Sequence, residues 1–314
     1  MGSTKKQLEQ DLAELEHVGT SGRAEALRSY LRLVRELKVR DSENVTVLGE
    51  ELLRKHRARL GAEELWLTME QVATAALDCR ALPLAASIVT QICEKFPESL
   101  RAARMMEMLL EARGKYEDAS KLIQKHLEDA PDCQMLLKRQ VALEKSQGNV
   151  GAAIEALRKY VDVFQTDREA WEELGSLYVQ AQMYAQAAAC YEEVLLHAPA
   201  SIAAYVQLAD VLYTAGPGPA GANSRAARTH YAAAVELSGG TNARALYGLC
   251  AVTAQLGGLR GAADPDGLAA AAAATLVQRY AEEAPAHLLP LAQEMLRAQG
   301  LTGKAGKTAA SPRK

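Results

Sequence analysis

Apolar residues recur along this chain at helical spacing, and a longer rhythm runs above that short one. Ala85, Ala119, Ala153 and Ala187 stand 34 residues apart, and four places after each comes a larger apolar residue: Val89, Ile123, Leu157 and Tyr191. A residue and its fourth neighbour lie one turn apart on one helix face, so each pair sets a small side chain beside a large one. A third rail, Leu82, Tyr116, Val150 and Tyr184, precedes the alanines, and prolines at 97, 131 and 199 close the units, with Gln165 breaking the proline series. Such a period predicts a helix–turn–helix unit that buries its apolar face only against adjoining copies.

The fullest unit starts at Arg168. It matches the tetratricopeptide pattern W-x2-L-G-x2-Y…A-x3-F…P through Trp171, Leu174, Gly175, Tyr178, Ala187, Tyr191 and Pro199. Trp171, Leu174 and Tyr178 share one face of a first helix, Gly175 lets the second helix approach, Ala187 receives the neighbouring ridge, and Pro199 ends the second helix. Stepping back by the period places first helices near 66–79, 100–113 and 134–147 and second helices near 83–96, 117–130 and 151–164. Stepping forward, Tyr205, Leu208 and Leu212 open a fifth unit, whose second helix comes late because GPGPAG (216–221) reads as a six-residue insertion. A degenerate sixth unit starts at 242–251.

Outside the rhythm, Leu27, Leu31 and Val34 predict a helix from Ala24 to Val39, and Asp41 or Ser42 is placed to cap another running to about Leu60. Residues 267–299 read as one or two Ala-rich helices interrupted by Pro285 and Pro290, 257–267 as a loop, and the tail as disordered. The expected fold is all-α: a tetratricopeptide-repeat right-handed superhelix, an α-solenoid, with extra capping helices at both ends. Its divisions are 1–60 for the N-terminal cap, 61–256 for five to six repeats, 257–300 for the C-terminal helices and 301–314 for the tail.

Composition removes several functions. With 36 Lys and Arg against 39 Asp and Glu, the net charge of -3 supplies no general attraction to nucleic acid or anionic lipid. The five cysteines, at 79, 93, 133, 190 and 250, form no C-x-x-C pair, which argues for free thiols and a reducing compartment. The first residues lack the apolar core of a signal peptide, and the longest apolar run, 268–277, is too short to span a bilayer, so a cytosolic location is expected. The six histidines show no H-E-x-x-H spacing, and no phosphate-binding glycine motif occurs. Neither an enzyme, a cofactor nor a metal is expected.

Beyond the repeats, the segments 41–53 (DSENVTVLGEELL), 65–78 (LWLTMEQVATAALD), 95–104, 114–119, the Trp171 unit and 245–250 (ALYGLC) come in an order and spacing that resembles the family of subunit 2 of the endoplasmic reticulum membrane protein complex. The resemblance covers roughly residues 41–255. It implies a non-catalytic, peripheral scaffold on the cytosolic face of the endoplasmic reticulum, joining cytosolic parts of subunits 1, 3 and 5 to subunit 8 or its paralogue. Insertion of client transmembrane segments would then belong to membrane-embedded subunits related to Oxa/YidC insertases. The N-terminus before Asp41, the GPGPAG insertion and the Ala-rich stretch after Gly257 depart from the family pattern.

For binding, the concave groove of such a superhelix draws on first-helix side chains outside the packing stripe. Arg101, Arg104, Lys138 and Arg139 fall there on two successive units and could hold an acidic segment, whereas a solvated basic face is the plainer account. On the next unit Glu172 and Ser176 are further groove candidates, and Glu169, Glu172 and Glu173 reverse the sign there. The rival reading is a co-chaperone adaptor clamping an acidic C-terminal tail. That clamp resembles one built partly from Asn, and the first-helix segments here contain none. A scaffold of some other multiprotein complex is the remaining alternative.

Overall fold

In the computed structural model, residue 10 and residues 22–260 and 266–301 are described, and among them the chain is all-α, with no strand. The expected segments 1–9, 11–21 and 302–314 lie outside the described residues, as does 261–265. The contacts divide into two compact units, 1–149 and 150–314.

Unit 1 holds α1 (Arg23–Leu37), α2 (Ser42–Lys55), α3 (Ala62–Asp78), α4 (Leu82–Lys95), α5 (Leu100–Ala112), α6 (Tyr116–Asp129) and α7 (Gln134–Ser146). Helices α1 and α2 close a core of Leu27, Tyr30, Leu31, Val34, Val45 and Leu52 that reaches Ala75 on α3. A second core joins α3, α4 and α5 through Met69, Val72, Ala76, Ala85, Val89, Ala102 and Leu109. Helix α2 stops at Lys55, and a single 3-10 turn, Arg57–Arg59, carries the chain on, short of the expected run to Leu60. Asp41 stands at the N-cap without capping the backbone, because its carboxylate accepts from the Tyr30 hydroxyl and the Asn44 amide.

Unit 2 holds α8 (Val150–Val163), α9 (Arg168–Gln180), α10 (Tyr184–His197), α11 (Ile202–Thr214), α12 (Ala222–Leu237), α13 (Ala243–Arg260), α14 (Leu268–Glu283) and α15 (Leu288–Ala298). Asp167 and Ser201 cap α9 and α11 by accepting the amides of Ala170 and Ala204. The GPGPAG insertion is the connection between α11 and α12, and includes the 3-10 turn Pro219–Gly221. Two expectations change at the far end. Gly257 and Gly258 continue α13, which runs to Arg260, where a loop from 257 was expected; and Pro290 sits in the first turn of α15, where its missing N–H costs nothing, while Pro285 lies between α14 and α15.

The alanine rail is fully covered: Ala85, Ala119, Ala153, Ala187 and Ala227 each have 0% exposure. The third rail marks helix starts, since Leu82, Tyr116, Val150 and Tyr184 each open a second helix. Gly175 gives room as expected, for a Cβ there would stand 3.0 Å from the Tyr191 ring, and at Gly248 it would stand 2.2 Å from that of Tyr231. Trp171 is only half-buried, and its indole N–H donates to the Gln165 carbonyl at 2.7 Å. The period also governs the backbone: Arg80, Gly114, Gly148, Gln182 and Gly216 all follow first helices with φ of 57, 73, 76, 59 and 87°. That left-handed C′ position suits glycine and strains Arg80 and Gln182.

Two stability predictions follow from the geometry of these glycine sites. Gly248→Ala should lose ~1–3 kcal/mol by overpacking Tyr231, whereas Gly151→Ala, with open space around its Cβ, should be neutral or slightly stabilising. Arg80→Gly and Gln182→Gly should each gain about 1 kcal/mol by relieving the left-handed backbone. Urea midpoints of the four variants check both; equal midpoints for Gly248→Ala and the parent would contradict the packing account.

Candidate protein-binding surface

Consecutive first helices lie side by side, so residues about one repeat apart in sequence meet across them. Arg101 on α5 pairs with Glu70 on α3 at 2.5 Å. Arg139 on α7 makes a bidentate contact with Glu107 on α5, at 2.5 and 2.9 Å, and also pairs with Glu111. In unit 2, Arg244 on α13 pairs with Asp210 on α11 at 3.0 Å, and Asp210 accepts the Tyr231 hydroxyl. Within unit 1, α3 is thereby tied to α5 and α5 to α7, and within unit 2 α11 is tied to α13, by charge-assisted hydrogen bonds.

The candidate residues are placed unequally by this ladder. Arg139 leaves the list of groove ligands, because its guanidinium is 18% exposed and its acidic partners come from its own chain. Arg101 is exposed but engaged by Glu70. Arg104 is exposed and touches only the Met135 sulfur, at 3.8 Å, so its charge faces solvent. Lys138 is exposed on α7. Glu172 pairs with Arg168 one turn back, and the Ser176 hydroxyl donates to the Glu172 carbonyl at 2.9 Å. Glu107, missed in the sequence, is the least exposed acid in this network; burial holds its pKa above the ordinary carboxylate value against the pull of Arg139. Its signal was the spacing to Arg139, close to one repeat.

The N-terminal helices are tied down by a separate set. Arg28 reaches Glu64, Arg23 meets Glu51 at 2.9 Å, and Arg40 and Ser42 both donate to Asp78. Hydrogen bonds from Arg23 and Arg28 lower the pKa of Glu51 and Glu64. Burial pushes Asp78 the other way, but Ser42 and Arg40 outweigh it and its pKa is also lowered. Burial pushes the Cys190 thiol up to about 11 and raises that of Cys93, and the buried Cys250 thiol donates to the Ala269 carbonyl at 3.7 Å.

A cleft of about 620 Å³ opens where the α1–α2 turn overhangs α3, with Val34, Val45 and Ala75 as its apolar base and Arg35, Lys38 and Leu67 on its rim. Beside it, a hollow of about 420 Å³ is lined by Trp66, Leu67, Ile92, Phe96 and Met105; Leu67, Glu70 and Arg101 border both.

The comparisons agree with this arrangement of helix pairs. The family model described as the EMC2 TPR-like repeat domain matches residues 84–223. The ER membrane protein complex subunit 2 of Xenopus tropicalis is 37% identical over 225 residues, covering 72% of this chain and 74% of that protein. This chain belongs to the ER membrane protein complex subunit 2 family. Its member from Dictyostelium discoideum is 34% identical over 57% of this chain and 56% of that protein, and the TPR repeat protein oca3 of Schizosaccharomyces pombe is 30% identical over 64% and 72%. Among solved structures, the C-terminal part of a TPR repeat-containing protein from Cytophaga hutchinsonii superposes with a TM-score of 0.57 at 15% identity, covering 80% of this chain and 94% of that one, which supports the fold alone.

The buried network and the N-terminal pairs give two measurable outcomes. Arg139→Met alone should cost about 3 kcal/mol by stranding Glu107, while Arg139→Met with Glu107→Leu should recover most of it, read as a double-mutant cycle in urea. Because the Glu51, Glu64 and Asp78 pKa values are lowered on folding, their stabilisation is present above the ordinary carboxylate range and lost as pH falls through the folded values. The melting temperature should therefore drop between about pH 5 and pH 3, and drop less in Glu51→Gln/Glu64→Gln/Asp78→Asn.

Proposed function

We propose that this chain is a non-catalytic scaffold of the endoplasmic reticulum membrane protein complex, held on the cytosolic face by other subunits and organising them for insertion of client transmembrane segments. The observation that carries the reading is the 37% identity over 74% of a relative named as subunit 2 of that complex. Two physical facts support it. Among the described residues no helix is long and apolar enough to cross a membrane, so membrane attachment through partners is the natural arrangement. And a stack of helix pairs exposes long, regularly spaced faces, the geometry on which repeat proteins bind extended or folded partners. The partners proposed are those the family resemblance implies, the cytosolic parts of subunits 1, 3 and 5 and subunit 8 or its paralogue.

The basic part of the first-helix face is proposed to serve assembly, through Arg104 and Lys138. Affinity purification from detergent-solubilised membranes should recover a set of multi-pass membrane subunits; soluble heat-shock chaperones as sole stoichiometric partners would overturn the reading. In the same assay Arg104→Glu/Lys138→Glu should reduce partner recovery while changing stability by only ~0.5 kcal/mol, since both side chains are exposed. A control, Glu192→Lys/Glu193→Lys on α10, should not reduce recovery. Equal recovery by all three would remove the basic face from the mechanism.

A further inference from the structure

The cleft under the α1–α2 turn carries charges that the chain itself leaves unanswered. Of the acids on its wall, Asp78 is held by Arg40 and Ser42, Glu70 by Arg101, and Asp41 by Tyr30 and Asn44. Two cations remain. Arg35 donates to the Gln71 side-chain oxygen and feels Glu64 and Glu36 only at longer range, and neither it nor Lys38 is in ion-pair contact with a carboxylate among the described residues. Arg35 is partly buried, and burial depresses its pKa, so a guanidinium here gains from an added carboxylate more than an exposed one would. Lys38 stands at the C′ position of α1 with φ of 52°, where glycine or asparagine is the relaxed choice, so a cation is kept at a strained site.

Between these charges and the neighbouring hollow stands Leu67, a large apolar side chain that is 41% exposed. Phe96, 39% exposed and packed edge-on against Trp66, lines the far side. Apolar side chains open to water at the junction of two clefts, flanked by unpaired cations, are complementary to one chemistry: aliphatic residues interspersed with carboxylates.

We propose that this joined cleft docks an acidic, aliphatic segment of another protein, its carboxylates meeting Arg35 and Lys38 and its apolar side chains covering Leu67 and Phe96. The inference rests on the scaffold reading above and adds a second docking point on α1 and α3, apart from Arg104 and Lys138. A partner in trans is favoured by continuity, since Arg101 of the first-helix face also borders both clefts.

The test places the photo-crosslinker p-benzoylphenylalanine at Leu67 in the full-length chain, irradiates the complex purified from detergent-solubilised membranes, and sequences the attached peptide by mass spectrometry. A single partner peptide rich in Asp or Glu and in Leu, Ile or Val is expected. Its yield should fall at least about tenfold in Arg35→Glu/Lys38→Glu, as loss and reversal of charge-assisted contacts predicts. Lys38→Asn tolerates the left-handed backbone; it should lower the yield without lowering the melting temperature, which guards against a folding artefact. Crosslinks to lipid, to a neutral or basic peptide, or to residues 1–21 of the same chain would overturn the proposal, as would no crosslink. If the other subunits still co-purify in those cases, the scaffold reading stands and only this docking site falls.

Discussion

The fold turns on how closely two helices can approach when each must bury its apolar stripe against a copy of itself. Ala85, Ala119, Ala153, Ala187 and Ala227 have no exposed surface, and one turn later on the same helix a larger buried residue stands beside each small one. Because each second helix must bring its small–large pair into the same buried setting, the connections have little freedom in length. That is why second helices begin at 82, 116, 150 and 184, and why the turn before each places a left-handed residue at 80, 114, 148 and 182. Where the period is relaxed, as between α11 and α12, the extra residues are accommodated in a turn outside the packing face.

Stacking of this kind also determines what becomes of charge. Aligning successive first helices makes neighbours of residues roughly a repeat apart, and the sequence places opposite charges there: Glu70 with Arg101, Glu107 with Arg139, Asp210 with Arg244. A face that reads as basic along α5 and α7 is therefore largely neutralised from within. In the Glu107–Arg139 pair burial holds the acid's pKa up while Glu107 and Glu111 hold the guanidinium's up, so neither charge could lose its partner without being left buried and unanswered. Arg104 and Lys138 on the first-helix face, and Arg35 and Lys38 at the end of α1, are the charges proposed above to meet a partner.

Legibility in the sequence followed the repeat. The rails at Ala85 and its successors, the unit from Trp171 to Pro199 and the insertion at 216–221 are periodic signals, and the helix bounds they predicted differ from the structure by a few residues at most. What was illegible depends on contacts between elements. Arg139 looked available because its carboxylates stand 28 and 32 residues away, and Pro290 looked like a breaker because its place in the first turn depends on where α15 starts. The cleft at Arg35 and Lys38 gave no signal, since α1 lies outside the 34-residue rhythm and its walls come from four separate helices, α1, α2, α3 and α5.

The Ala-rich run at 268–277 shows how packing decides a membrane question that hydropathy leaves open. Its ten residues have no charge, yet in α14 Ala269, Ala272, Ala273 and Leu276 are buried in the core that joins α13, α14 and α15. Apolar surface committed to that core gives nothing to lipid, and the remaining face offers mostly methyl groups, with Leu268 the one large side chain open to water. At roughly 25 cal/mol per Å², so little exposed aliphatic surface supports only weak interfacial binding. This run therefore adds little direct attachment to lipid, and the attachment through partner subunits proposed above does not draw on it.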